Sequence, residues 1–305
     1  MLESLLTVAG QVVTLFLMMA VGFALVQFGM LTEVGLSQMS TLLLYVVAPC
    51  ILLRSFQQDG LPSLAVLGVG AVALGSYYLI FMPLSTLLFR RSTPKEGSIL
   101  RFGAVYGNAS FMGLPLLAVV LGPDALIFGV ISFVVFSIAQ WTHGVCAMGG
   151  TFSPRKIILN PAVIGLLLGL PLLLFQWRLP VVLSSAVSFI ADLNTPLAMV
   201  VIGGQMAGAN LVATFTQPKL YLVAALKLVA IPALVMLLLL PFSLSPLLYC
   251  TCVVLAATPT AGITGIFAQK FGQDTALAAQ LITLSTLLCV VTLPVFAVLS
   301  QLLIK

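Results

Sequence analysis

Stretches of about 20 mostly apolar residues, the length that carries an α-helix across a bilayer, follow one another along this 305-residue chain with only short loops between them. Charged residues make up 6% of the sequence and hydrophobic ones 61%, whereas a soluble domain is about a quarter charged. The chain reads as an all-α polytopic membrane protein. Loop punctuation divides it into ten transmembrane helices, at roughly 5–27, 34–54, 62–89, 99–120, 124–148, 157–176, 181–207, 218–240, 246–269 and 275–303. The first run lacks a basic leader or cleavage signature and reads as a span, not a signal peptide.

Lysine and arginine set the orientation. The loops joining odd to even spans hold eight of them, Arg90, Arg91, Lys95, Arg101, Arg155, Lys156, Lys219 and Lys270; the other side holds three, Arg54, Arg178 and Lys305. By the positive-inside rule the eight are cytoplasmic and both termini are extracytoplasmic, in the plasma (inner) membrane. The net charge of +5 is therefore a topology signal and not a nucleic-acid one. Five cysteines (Cys50, Cys146, Cys250, Cys252, Cys289) stand singly in apolar runs beside a lone histidine, so neither a metal nor a cofactor is expected. That scarcity, with no HExxH motif, leaves an intramembrane enzyme as the weakest reading. No GxxxxGK[ST] motif marks a nucleotide site.

A membrane helix must satisfy its own backbone, so an interruption at membrane depth is tolerated only where protein or a water-filled cavity covers it. The fourth span is interrupted by Gly107-Asn108, with Ser110, Gly113 and Pro115 following, and the ninth by Thr258-Pro259-Thr260. The second and seventh carry Ala48-Pro49 and Thr195-Pro196. The loop from Gly149 to Lys156 splits the chain into residues 1–150 and 151–305, each with five spans, and an odd number per half makes the halves inverted. An offset of 150 residues pairs Asn108 with Thr258, Gly122 with Gly272 and Asp124 with Asp274. Paired interruptions in two inverted halves point to a transporter's binding site near the midplane. Half-helix N-termini there would suit an anion. The substrate-binding candidates are Asn108, Gly107, Ser110, Thr258, Pro259 and Thr260; the two threonine hydroxyls could equally bond back to the preceding turn.

Asp192, about a dozen residues into span seven, is expected near mid-membrane, where an acid is costly and functional. Lys227, within span eight, is its candidate partner; alternatively it neutralises an anionic substrate or snorkels to an interface. Gln140, with Ser137 and Thr142 on the fifth helix, is a candidate for lining the path. His143 reads as an interfacial imidazole, and Trp141 and Trp177 as aromatic-belt residues.

Gly107-Asn-Ala-Ser-Phe-Met-Gly-Leu-Pro-Leu116 resembles the Pro-Asn-Thr-Leu-Val-Met-Gly-Ile-Pro-Leu segment of the auxin efflux carrier family, which includes bacterial permeases and plant PIN-type exporters. Ala256-Ala-Thr-Pro259 is similar to the family's second crossover, and Ser188 to Asp192 and Leu226 to Pro232 carry weaker likenesses. The resemblance implies ten helices, a scaffold of helices 1, 2, 6 and 7, and a mobile unit of helices 3–5 and 8–10 that moves as an elevator. It also implies a substrate at the helix four and nine crossover, with Asn108 contacting a carboxylate. Gly107 replaces the family's first crossover proline, Thr260 departs from the pattern, and the long cytoplasmic loop is missing, which argues against auxin itself. The expected function is a secondary transporter for small organic anions, malate- or auxin-like carboxylates, with a channel-like pore as the alternative. The expected partners are that anion, the lipid bilayer and, as an option, a second copy of the chain as a homodimer.

Overall fold

The apolar runs become fourteen helical segments: α1 (Leu2–Gln27), α2 (Glu33–Ser55), α3 (Leu64–Leu88), α4 (Pro94–Val105), α5 (109–120), α6 (Pro123–Ala147), α7 (Pro154–Ile158), α8 (Pro161–Leu174), α9 (Val181–Ala207), α10 (Leu211–Thr216), α11 (Pro218–Phe242), α12 (Pro246–Ala256), α13 (Ile263–Lys270) and α14 (Thr275–Leu303). The computed structural model describes residues 2–58 and 61–304, with the side chains of residues 2–8, Ser110, Lys156, Ile157 and Leu211 outside the description. Lys305, counted above on the outer side, is also outside it.

Among the described residues seven helices, α1, α2, α3, α6, α9, α11 and α14, are long and apolar enough to cross a membrane. The fourth and ninth runs, expected as continuous spans with internal interruptions, are each divided into separate half-helices, α4 with α5 and α12 with α13. The sixth starts later than expected, at Pro161, because Asn160 caps it: the Asn160 Oδ1 accepts from the Ala162 N–H at 2.8 Å. An Asn N-cap followed by proline at the first helical position satisfies one orphan donor and removes another.

Proline also shapes helices without ending them. Wide π-turns at Leu43–Val47, Ala109–Gly113 and Leu226–Ala230 each stop two residues before a proline, Pro49, Pro115 and Pro232. A proline ring clashes with the carbonyl four residues back and offers no N–H; widening the preceding turn moves that carbonyl aside. The expected interruption at Thr195-Pro196 is a single turn at Leu193, after which α9 resumes. Pro83, Pro171 and Pro294 sit inside helices without such a turn.

The helices pack in two groups. In one, α1 lies on the second half of α9, and α2 packs against α8 and α9. Gly22 meets the Val200 backbone and Gly203 the Met19 backbone, so closely that a Cβ on either would overlap a carbonyl. Small residues at such crossings let backbones touch, which replaces the hydrophobic drive that lipid does not supply. In the other group α3 packs on α4 and α6, and α14 on α11, α12 and α13. The groups meet where α1 touches α14, α6 touches α8, and α5 touches α9. Segment ends are tied together: Lys219 in the first turn of α11 pairs with Glu96 in the first turn of α4 at 2.6 Å, while the Gln57 side chain donates to the Trp177 carbonyl at 3.0 Å and accepts from the Leu179 N–H at 2.8 Å. The backbone carbonyl of Gln57 accepts from Arg178.

Candidate functional site

Where α4 and α12 end, the chain runs extended for a few residues, and the two extended pieces pair. Gly107 and Thr260 form an isolated antiparallel bridge. The Asn108 N–H donates to the Pro259 carbonyl at 2.7 Å and the Ala261 N–H to the Tyr106 carbonyl at 2.9 Å. Each break leaves backbone groups without helical partners, and each supplies the partners the other lacks. The junction is braced further: the Thr260 N–H donates to the Ser285 hydroxyl at 3.2 Å and the Thr260 hydroxyl to the Gly103 carbonyl at 3.0 Å. The Thr258 hydroxyl donates to the Leu255 carbonyl at 2.7 Å. The Asn108 carbonyl then opens α5 by accepting from Met112 and Gly113.

Two cavities flank this junction and share Gly107 as a wall. The first lies between the two helix groups, lined by Tyr45 and Asn160 from one and by Asn108, Phe111, Gln140 and Trp141 from the other. Asn108 is 4% exposed and Gln140 2%, and among the described residues nothing hydrogen-bonds either side-chain amide. Both amides are therefore buried donors available to whatever fills the cavity. Gly262 and Ile263, at the start of α13, line it too, so the positive ends of α5 and α13 face it together. Among the described residues no charged side chain lines it.

The second cavity has the opposite character. Its wall includes Tyr77, Leu255, Ala256 and Lys227, and α4 and α12 end beside it. Lys227 is fully buried. Its Nζ donates to the Ala256 carbonyl at 2.9 Å and to the Tyr77 hydroxyl at 3.0 Å, and that hydroxyl donates to the Val105 carbonyl at 2.7 Å. Val105 and Ala256 are the last residues of α4 and α12. A Cβ on Gly107 would lie 2.7 Å from the Lys227 Nζ and 2.6 Å from the Thr258 hydroxyl, so any side chain at this position must displace one of the two.

The structure gathers Gly107, Asn108, Thr258, Pro259 and Thr260 into one junction. Asn108, Gly107 and Gln140 line the first cavity; Thr258, Pro259 and Thr260 do not. The side chain of Ser110 lies outside the described residues. Two expectations are corrected. Asp192 does not pair with Lys227: its side chain is 67% exposed and bonds Arg54 at 2.5 Å. Lys227 does not snorkel, because two helix ends hold it inside. Trp141 lines the first cavity, with the Lys270 Nζ 5.3 Å over its ring. His143, expected at an interface, has its Nδ1 3.1 Å from the Tyr106 hydroxyl. Sequence reasoning passed over Tyr77, Asn160 and Ser285. The Asn160-Pro161 pair is a capping signature that could have been read. Tyr77 carries no such signal, although it stands 150 residues before Lys227, the offset that pairs Asn108 with Thr258.

Fold and site together define a class: a multi-span membrane protein whose interior is organised by two helices broken at one point, with unpaired amides turned into a cavity there. The sequence model of a family described as "Membrane transport protein" matches residues 7–151 and 148–297. The chain belongs to this family, that of the auxin efflux carriers, and is a membrane transporter, not an enzyme. A curated protein of Rhizobium meliloti (strain 1021), named "Putative malonate transporter", is 25% identical over 269 residues, which cover 83% of either chain.

Proposed function

We propose that the protein is a secondary carrier that moves small carboxylates, of the size and charge of malonate, through the cavity between its two helix groups. The observation that carries this reading is the pair of unpaired amides, Asn108 and Gln140, facing that cavity beside the N-terminal ends of α5 and α13. Amide N–H groups and helix N-termini bind carboxylates without a formal positive charge, which lets the site release its ligand on either side. The name of the Rhizobium relative points to the same class of substrate.

The packing supports an elevator. α1, α2, α8 and α9 form the scaffold; α3 to α6 and α11 to α14 form the unit that carries the crossover. The cavity lies on the seam between them, where a rigid shift of one group changes the side to which it opens. Ten spans in two inverted halves, 1–150 and 151–305, are reached by adding to the seven long helices α8 and the pairs α4 with α5 and α12 with α13, each counted as one crossing. Two ties support the grouping of chain segments by side: Lys219–Glu96 joins the first turns of α11 and α4, both assigned to the cytoplasmic side, and Gln57 with Trp177 joins segments assigned to the outer side.

Thermal stabilisation of the purified protein across a panel of mono- and dicarboxylates tests the site. A small dicarboxylate should raise the melting temperature of the wild type, and Asn108→Ala should lose that shift. A panel in which no carboxylate stabilises the protein, or a shift that survives in Asn108→Ala, overturns the proposal.

A further inference from the structure

Among the described residues Lys227 is the one charged side chain that is fully buried, and it does not line the cavity proposed for the substrate. A charge taken out of water requires compensation, yet no described carboxylate lies within ion-pair distance of it. Oxygen atoms from both chain breaks close on it instead. The Ala256 carbonyl accepts directly from the Nζ, and the Val105 carbonyl is reached through the Tyr77 hydroxyl. Both carbonyls end helices, where unpaired C=O groups and the macrodipole leave partial negative charge. Two half-helix C-termini converging on one point make the oxygen-rich setting in which transporters hold a free monovalent cation.

We propose that Lys227 is a tethered cation: its ammonium occupies a built-in cation site at the C-terminal ends of α4 and α12, so the crossover takes up no free sodium or potassium. Lys227 is a positioning residue in this scheme. It touches the two breaks, not the substrate, and holds α4 and α12 in the register that the Gly107–Thr260 bridge requires. Cutting the side chain back while leaving the carbonyls would expose the site it fills. The adjoining cavity, lined by Lys227, Tyr77 and Ala256, gives a small amine room to reach it.

The test is chemical rescue of purified protein in detergent, read by melting temperature at constant ionic strength and pH in choline, sodium, potassium or n-propylammonium chloride. n-Propylammonium is the fragment that Lys227→Ala removes. The wild type should melt at the same temperature in all four salts. Lys227→Ala should melt several degrees lower in choline and recover most of the loss in n-propylammonium, whereas Lys227→Met, whose chain fills the space without a charge, should show no recovery. Equal melting of Lys227→Ala in choline and n-propylammonium overturns the proposal, as does a Lys227→Met variant as stable as the wild type. If Lys227→Ala yields no folded protein in any salt, the wild type decides: a melting temperature raised by sodium or potassium over choline overturns the tethered cation, and one equal in all four salts supports it. No substrate enters these measurements, so their failure is distinct from failure of the carboxylate-carrier reading.

Discussion

Gly107 stands at the crossover between the Lys227 ammonium and the Thr258 hydroxyl, within 3 Å of where a Cβ would lie. Sequence reasoning marked the position as a weak point in a helix, because glycine interrupts an apolar run. Only the fold reveals which groups a larger residue would displace. Gly107→Ala should destabilise the protein by about 1–3 kcal/mol through overpacking, visible as a lower melting temperature, and should slow uptake by prising the two breaks apart. Asp192 teaches the reverse lesson. Its place in the middle of a long apolar run made it a candidate for a functional intramembrane acid, yet its carboxylate reaches Arg54 and is largely exposed. Asp192→Asn should leave the pH dependence of uptake in proteoliposomes unchanged; a shifted or flattened profile would return Asp192 to the transport mechanism.

At the scale of elements, the helices that the sequence delineated well are those whose hydrogen bonds stay inside one segment. The bounds of α3, α9, α11 and α14 fall within a few residues of the spans expected from apolar length. Departures occur where a segment depends on a partner. α4 and α12 end on carbonyls that accept from Tyr77 and Lys227 respectively, and α5 and α13 begin at a bridge formed with the opposite break; neither relation has a local signal. The α1 and α9 contact is intermediate. The small residues Gly203-Gly204 stand out in the sequence, but the target of Gly203, the Met19 backbone, does not. Gly203→Leu should lower the melting temperature markedly, since a side chain there must displace backbone. Gly10→Leu, on the same helix pair but facing open space, should leave it unchanged or raise it, because leucine favours helix over glycine by about 0.5–1 kcal/mol. Equal effects would mean that the backbone contact does not hold the pair together.

For the whole molecule, the orientation can be checked with single cysteines in a Cys146→Ser background, which removes the exposed native thiol. A cysteine replacing Lys95 should react with a membrane-impermeant maleimide only from the cytoplasmic face, and one replacing Asp124 only from the outer face; the opposite pattern would invert the topology. The sequence by itself determined that this chain lives in a membrane, roughly where its helices run and that two of them break, because each follows from apolar length, sparse charge and residues that cannot sustain helical hydrogen bonds. It also put Asn108 and Gln140 among the candidates. The tertiary structure alone decided that the two breaks pair with each other, that amides and helix N-termini face one cavity while a buried lysine and helix C-termini face the other, and that Asp192 belongs to Arg54. Those relations join residues up to about 150 positions apart, and a backbone group left open in one half is satisfied only by what folding brings to it from the other.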